Sequence, residues 1–247
     1  MTQQKNLFYD CPDLTSVSSS VIDVRIHELG VAIAAEQNIV RAAGGGEPRD
    51  VGCIKIEGSH NSRILDVEKK DGLTWIITDE DISKLETINQ IGVEVDAMHR
   101  DRRRRLHTAV HMAIRCAYNH FKTFHVLEAE INDDAYAARV IGRANRVVSS
   151  DDIIDIKQAM RSQVRICRPV LASKVRSIQY AEETYGDLFR MSARYALKGK
   201  VRLVCIEGFD ANPCSGLHYT SSNIGPYEMT VNSTKLTIGM VSICLNL

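Results

Sequence analysis

The sequence lacks an excess of charge of either sign. Its 31 lysines and arginines balance 31 aspartates and glutamates over 247 residues. A chain without a net field is not drawn as a whole to nucleic acid or to a membrane, so any anion-binding surface must be local. The hydrophobic content of 44% is that of an ordinary globular protein. The length suits one large domain or two modest ones.

Long apolar segments are also missing. No run approaches the roughly 20 residues that span a bilayer. The polar start Met1–Asn6 lacks the apolar core of a secretory signal. We therefore expect a soluble, cytoplasmic protein without a membrane partner. The sequence contains no internal repeat or low-complexity tract.

Closely spaced cysteine pairs are absent as well. The seven cysteines form no Cys-x-x-Cys pair and are odd in number, which argues against a disulfide framework or a zinc ribbon. We expect most of them to be small buried hydrophobic side chains. Cys214 is the exception, because His218 follows it four residues later.

The first part of the chain alternates short apolar runs with turn residues, which predicts strands at 17–26, 30–35, 51–56 and 73–78. Between the second and third runs lies Gly44-Gly45-Gly46. Such a triplet either brings backbone amides close to a bound group or makes a flexible turn. Residues 79–92 are predicted to carry a short helix before a strand at 93–95. The region is therefore expected to form a small β domain.

Two histidines on an apolar-patterned segment are the first sign of chemistry. Apolar residues recur at three- and four-residue steps from Leu106 to Ala117, which predicts a helix. Each helical residue advances about 100°, so His107 and His111 lie on one face, about one turn apart. That spacing allows both imidazoles to reach one metal ion. The alternative is a pair of core or surface histidines with local hydrogen bonds.

A basic cluster precedes these histidines and includes Arg102, Arg103, Arg104 and Arg105. Cations in the first turn of a helix oppose the macrodipole, at a cost of a few tenths of a kcal/mol each when they are exposed. Helix stability alone would therefore not favour them. One interpretation is a solvated face paired with Asp96 and Asp101. The other is contact with RNA phosphates beside the histidine pair.

The second half of the chain mixes strands and helices. Strands are predicted at 125–130 and 135–141, and an amphipathic helix is predicted at 153–164 after the capping residues at 149–152. Residues 172–197 have no strong periodicity. A buried strand is predicted at 201–206, followed by a loop over 207–218.

That loop ends in Cys214 and His218, which complete a set of four metal ligands with His107 and His111. Three imidazoles and one thiolate suit zinc in tetrahedral geometry. A closed set of four ligands would make the site structural, whereas a vacant position would make it catalytic.

These motifs resemble the editing domains of alanyl-tRNA synthetases, and especially the stand-alone alanyl-tRNA editing proteins. The family is also related to the threonyl-tRNA synthetase editing domain. His107-Thr108-Ala109-Val110-His111 matches the family's His-Thr-Ala-x-His, and Cys214-Ser215-Gly216-Leu217-His218 matches its Cys-Gly-Gly-Thr-His. Ile224-Gly225 follows as in the family. Upstream, Leu7-Phe8-Tyr9 and the glycine-rich stretch 44–50 resemble the longer members, so the resemblance covers nearly the whole chain.

The resemblance implies an α+β fold in two domains. A small β-barrel-like domain with the glycine-rich loop would cover residues 1–95. A two-layer editing domain, with helices packed on a mainly antiparallel sheet, would cover residues 96–247 and bind Zn²⁺ through the four ligands.

The implied activity is trans-editing, the hydrolysis of the ester that joins a wrong amino acid to a tRNA. Serine on tRNA(Ala) is the leading substrate, with glycine or a non-standard hydroxy amino acid as variants. The metal would activate a water molecule or position the aminoacyl group. Arg102 to Arg105 and Gly44 to Gly46 would contact the acceptor end of the tRNA. A non-catalytic, zinc-stabilised module that binds tRNA or an amino acid is the alternative, and hydrolysis of another acyl ester is a third.

Two further residues are candidates for catalytic roles. By the resemblance, Thr108 would bond the substrate side chain or water, or otherwise its own helix backbone. Asp210 would orient a ligating histidine, or otherwise form a turn. Ser215 and Leu217 depart from the family pattern, and a pocket wall formed by Leu217 would be more apolar than is usual.

Overall fold

The computed structural model describes residues 3–56, 61–80, 88–133, 135–190, 199–233 and 239–247. The chain folds into two compact units, Met1–Asp101 and Arg102–Leu247. The assignment of two domains divided between residues 95 and 96 stays a prediction.

The first unit is built around a closed six-stranded barrel, in the order β2-β3-β7-β6-β5-β8. A short parallel pair, β1 with β4, accompanies it. The strands are β1 Lys5–Asn6, β2 Ser16–His27, β3 Gly30–Ala35, β4 Gln37–Asn38, β5 Gly52–Ile56, β6 Asn61–Lys70, β7 Leu73–Thr78 and β8 Gln90–Val95. The predicted barrel is confirmed.

Two long strands close this barrel. β2 pairs with β8 through its first residues and with β3 through its last, and the register shifts between Val21 and Asp23. β6 pairs with β5 and then with β7, with a shift between Ile64 and Asp66. Such irregularities bend a strand and increase its twist, which allows one strand to serve two neighbours.

The second unit is α+β, as predicted. The helix α1 spans Ala97–Phe121 and so begins in the last residues of the first unit. An antiparallel sheet in the order β14-β15-β10-β9 and a second one in the order β11-β12-β13 follow. The elements after α1 are β9 Phe124–Asn132, β10 Ala137–Ala144, α2 Ser150–Ile166, β11 Val170–Val175, α3 Ile178–Tyr185, β12 Val201–Ile206, β13 Asp210–Pro213, β14 Glu228–Ser233 and β15 Met240–Asn246.

One hydrophobic core joins α1 to α2 and to both sheets of this unit. Met112 and Ala113 of α1 are fully buried, as are Ile156 of α2 and Ile243 of β15. Since buried apolar area is the main favourable contribution to folding, this core fixes the face that α1 turns away from solvent.

Several sequence predictions are confirmed in this unit. The strand at 201–206 is β12, and the strands predicted at 125–130 and 135–141 are β9 and β10, which pair with each other. The helix expected after residues 149–152 is α2, and Ser149 caps it in a reciprocal capping box with Asp152.

Other predictions were wrong. The stretch 207–218 is not entirely loop, because Asp210–Pro213 forms β13 and pairs with β12. Strands β14 and β15 were not predicted at all. Most of the helix predicted within 79–92 falls on residues 81–87, outside the described part of the chain.

The cysteines also differ from expectation. All seven are free, and only Cys116 is buried, while Cys11 and Cys167 are exposed. The idea that most serve as buried hydrophobic side chains is therefore wrong.

Within the described residues, no helix is long and apolar enough to cross a membrane.

Candidate metal centre

Helix α1 presents two histidines on one face. His107 and His111 are nearly buried, with 6% and 7% of their surface exposed. Their ring centroids are 5.3 Å apart, as expected for residues one turn apart. The predicted helical spacing is therefore present in the structure.

The segment after β13 carries the other two side chains. Gly208 adopts a left-handed backbone (φ 62°) in the tight turn between β12 and β13, and Cys214 follows β13 directly. Cys214 Sγ lies 3.5 Å from His107 Nε2 and 3.4 Å from His218 Nε2. The ring of His218 is 4.2 Å from that of His107 and 4.5 Å from that of His111, measured between centroids. The ligand atoms of all four residues lie within 4.8 Å of one another.

These distances fit a zinc ion. Zinc binds sulfur at about 2.3 Å and imidazole nitrogen at about 2.0–2.1 Å. A tetrahedral angle between such bonds separates sulfur from nitrogen by about 3.5 Å. Both sulfur–nitrogen distances match that value. The cluster could therefore hold a metal ion, and its donor atoms are those that zinc prefers.

The electrostatics of the cluster favour the metal-binding protonation states of Cys214 and His218, whereas at His111 burial is outweighed by Cys214 and Asp210, which raise the pKa. Burial opposes ionisation of the Cys214 thiol, but the three nearby histidines together hold its pKa well below the usual value. Burial, followed by the charges of His107 and His111, lowers the pKa of His218 to about 3. A thiolate and a neutral imidazole are the ligand forms of these residues.

Thr108 lies against the cluster from within α1 and has no exposed surface. Its hydroxyl oxygen accepts a hydrogen bond from the backbone N–H of Tyr219 at 3.0 Å. The same oxygen lies 3.3 Å from His218 Nδ1. When Nε2 of His218 binds a metal, Nδ1 carries the proton and can donate it to Thr108. The hydroxyl thus holds the ring of His218 in place.

Asp210 lies next to Nδ1 of His111, as Thr108 lies next to Nδ1 of His218. Its carboxylate is fully buried, and its Oδ2 lies 3.7 Å from His111 Nδ1. That distance is longer than a hydrogen bond, but burial places the charge close to the ring. Arg190 contacts the same carboxylate, with Nε and Nη2 each 3.3 Å from Oδ1. A buried row of Arg190, Asp210 and His111 results.

The arginines at the start of α1 hold the segment that carries the ligands. Arg104 is 3% exposed, and its Nε donates to the carbonyl of His218 at 2.9 Å. Arg105 donates to the carbonyl of Ile224 and to the Tyr219 hydroxyl, and its guanidinium stacks on the Tyr219 ring. Because α1 begins at Ala97, both arginines lie beyond its first turn, and the conflict with the macrodipole expected from the sequence does not arise.

Neither sequence interpretation of Arg102 to Arg105, a solvated face or a contact with RNA phosphates, describes all four arginines. Arg103 is 1% exposed and forms an ion pair with Asp133 at 3.8 Å. Arg103 and Arg104 thus belong to the interior and not to a solvated face. Arg102 is partly exposed and lies over the Tyr136 ring. RNA contact by the four arginines stays a prediction.

The glycine triplet forms an exposed tight turn in the first unit. Gly44 N–H donates to the Glu47 carbonyl at 2.9 Å, and Gly45 and Gly46 adopt left-handed backbones. Arg41 closes the turn by donating to the Gly44 carbonyl and by pairing with the Glu47 carboxylate. RNA contact by Gly44, Gly45 and Gly46 also stays a prediction.

Sequence reasoning missed Arg190 and Arg202. Arg202 lies on β12, and its Nη1 donates to the carbonyls of Cys214 and Gly216, each at 2.8 Å. No local pattern marks either arginine, because their acceptors are distant carboxylate and main-chain oxygens. Of the two residues that depart from the family motif, Leu217 is fully buried and Ser215 is exposed.

The fold and the cluster define the class: a closed β-barrel followed by an α+β unit that carries a His-x₃-His and Cys-x₃-His ligand set. No family model matches the chain.

The chain is homologous to part of the alanine–tRNA ligases. It is 28% identical to the enzyme of Methanosphaera stadtmanae over 193 residues. The aligned stretch covers 75% of this chain and 21% of that protein. The chain is 27% identical to the enzyme of Halorubrum lacusprofundi, over 88% of this chain and 23% of that protein. The enzyme of Aeropyrum pernix is 24% identical over 98% of this chain and 26% of that protein.

The predicted resemblance to alanyl-tRNA synthetases is therefore confirmed. The chain spans about a fifth to a quarter of the length of these curated relatives.

Proposed function

We propose that this protein is a zinc-dependent aminoacyl-tRNA deacylase that hydrolyses the ester of a mischarged tRNA in trans. The observation that carries the proposal is the cluster of His107, His111, Cys214 and His218, with the sulfur–nitrogen distances of tetrahedral zinc, in a chain homologous to alanine–tRNA ligases. Under this proposal residues 96–247 are the editing domain, whose helices pack with two antiparallel sheets rather than with the single sheet expected from the sequence.

The roles of the protein side chains follow from their contacts. A zinc ion bound there would supply a Lewis acid that polarises water or holds the aminoacyl group. Cys214 enters the site as a thiolate and His218 as a neutral ring. Thr108 sets the orientation of His218, and Asp210 faces the outer nitrogen of His111. Thr108 and Asp210 are therefore positioning residues in this proposal.

Aminoacyl esters need little further activation. Because they are already labile, orientation and modest charge stabilisation suffice to accelerate their hydrolysis. Serine on tRNA(Ala) is the substrate we propose, with glycine or a non-standard hydroxy amino acid as variants. A site that bonds the serine hydroxyl would reject alanine strongly, because its polar groups would be left without a partner.

One observation favours a second candidate function. Four protein side chains are close enough to bind one ion together, and structural zinc sites typically have four protein ligands and no open position. A catalytic ion in such a set would have to expand its coordination or release one ligand. The second candidate is thus a non-catalytic, zinc-stabilised module that binds tRNA or an amino acid.

A deacylation panel with parallel metal analysis separates these candidates. The substrates are tRNA(Ala) charged with serine, glycine or alanine, a threonyl-tRNA, and a tRNA charged with a non-standard hydroxy amino acid. We expect zinc in the purified protein and faster release of serine than of alanine, and Cys214→Ala should lose both properties. Full zinc loading without acceleration of any ester would contradict the enzyme and support the binding module. Equal rates on free seryl esters and seryl-tRNA would instead indicate a general acyl esterase.

A further inference from the structure

Three cations form a regular row on helix α2. Lys157, Arg161 and Arg165 are spaced four residues apart, so each is rotated only about 40° from the one before. The row extends about 12 Å along the helix axis. One strand of duplex DNA carries a phosphate about every 3.4 Å of axis, and at that spacing the row runs past about three phosphates.

The row borders a groove between α2 and the edge strand β14. The groove has a volume of about 350 Å³, and its lining includes Lys157, Arg161, Tyr227 and Glu228. Burial raises the pKa of Tyr227, while the charges of Arg161 and Arg165 act in the opposite direction. Among the described residues, the buried Tyr227 hydroxyl has no hydrogen-bond partner. Tyr227 therefore brings an unsatisfied donor to the lining of the groove.

These cations differ from several arginines of the second unit. Arg103, Arg139 and Arg146 form ion pairs with acidic side chains. For the three cations of α2, no ion pair is found in the part of the chain that the structure describes. Glu228 is the single acid of the groove lining. The row therefore presents three cations against one carboxylate, and two of these cations, Arg161 and Arg165, are exposed.

We propose that the groove of α2 and β14 binds the phosphodiester backbone of RNA through Lys157, Arg161, Arg165 and the hydroxyl of Tyr227. The proposal rests on the proposed function, since homology to alanine–tRNA ligases makes tRNA the anionic polymer at hand. It also gives the chain an RNA-contacting surface that does not depend on the buried Arg103 and Arg104. Guanidinium groups and a phenol are suitable donors to phosphate oxygens.

The test measures the affinity of the full chain for an uncharged tRNA(Ala) transcript at several salt concentrations. The variant is Arg161→Gln with Arg165→Gln. The matched control is Arg143→Gln with Lys174→Gln, two exposed cations on β10 and β11.

Each phosphate contact contributes a slope of about 0.9 to the fall of log K with log salt. Between about 50 and about 200 mM salt, the wild type should therefore lose about tenfold more affinity than the variant. The control should behave as the wild type. Equal salt dependence in all three proteins would overturn the proposal.

Glu228→Gln provides a test of opposite sign. Removal of the acid in the groove should strengthen tRNA binding several-fold, and unchanged or weaker binding would count against a phosphate ligand. The proposal would also be refuted if an acidic peptide bound the wild type but not the double variant while neither protein bound tRNA.

Hydrolysis of seryl-adenosine, an ester without the tRNA backbone, reports the chemical step independently of tRNA binding. Its hydrolysis rate should be the same in the wild type and the double variant. If no protein hydrolyses any ester, the proposed function fails, while the difference in tRNA binding still supports the groove. If hydrolysis is normal and tRNA binding is unaffected, only the groove fails.

Discussion

Replacement of Thr108 by valine tests whether a hydroxyl within α1 fixes the geometry of the metal cluster. Valine keeps the shape of the side chain and removes only the hydrogen-bonding group. The Tyr219 N–H, now 3.0 Å from the hydroxyl oxygen, would keep only its longer hydrogen bond to the Arg104 carbonyl at 3.3 Å. Loss of one such hydrogen bond costs about 0.5–1.5 kcal/mol. His218 Nδ1, at 3.3 Å, would lose its partner as well.

The metal affinity should respond more strongly than the fold. Loss of a residue that orients a metal ligand typically reduces affinity by about 10–100-fold. We expect that loss for Thr108→Val, measured as the zinc dissociation constant by competition with a chelator. Urea denaturation of the metal-free protein reports the free energy of unfolding separately.

The matched control is Thr108→Ser, which retains the hydroxyl and should bind zinc within a few-fold of the wild type. If the valine variant binds zinc as tightly as the serine variant, Thr108 does not position His218. If both variants lose zinc equally, a hydroxyl at position 108 is not sufficient to preserve the site, and the hydrogen bond to His218 does not explain the loss. Either result would refute the reasoning.

Three further predictions concern other parts of the second unit. Cys214→Ala should abolish stoichiometric zinc in elemental analysis, while Cys205→Ala, a half-buried cysteine on β12, should retain it. Arg104→Gln should lower the free energy of unfolding in urea by about 2–3 kcal/mol, because a buried carbonyl loses a charged donor. Asp152→Asn should cost about 1–3 kcal/mol, since it weakens the cap of α2 and the contact with the half-exposed Arg146. Arg146 first, and other donors after it, hold the pKa of Asp152 well below its usual range, so its contribution is present above about pH 4 and declines as the pH falls further. Acid unfolding of the wild type should show this loss below about pH 4, and the Asp152→Asn variant should show less of it.

The candidate metal ligands were predictable because their signal is local. His107 and His111 share a helix face by spacing alone, and Cys214 and His218 repeat that spacing after an apolar strand. The strand β12 was equally plain, because six consecutive residues at 201–206 are mostly apolar and largely buried.

The roles of the arginines were not predictable in the same way. A sequence shows the charge of Arg104, but not the carbonyl of His218 that accepts from it 114 residues away. Arg190 likewise depends on Asp210, which comes into contact only when the second unit folds.

The missed strands have a different cause. β13 has the composition of a turn, and its pairing with β12 decides its conformation. β14 lies at the edge of its sheet, and exposed polar residues dilute its pattern. In both strands, tertiary pairing outweighs the weak local preference.

The segment with Cys214 and His218 is held almost entirely through its main chain. Arg202, Arg104 and Arg105 bond the carbonyl oxygens of Cys214, Gly216, His218 and Ile224. Every amino acid supplies such an oxygen, so side chains between the ligands can be exchanged without breaking these bonds. Position 215 is exposed and can therefore change without loosening the ligands, whereas Leu217 is fully buried and any replacement there must also preserve the packing beneath the segment.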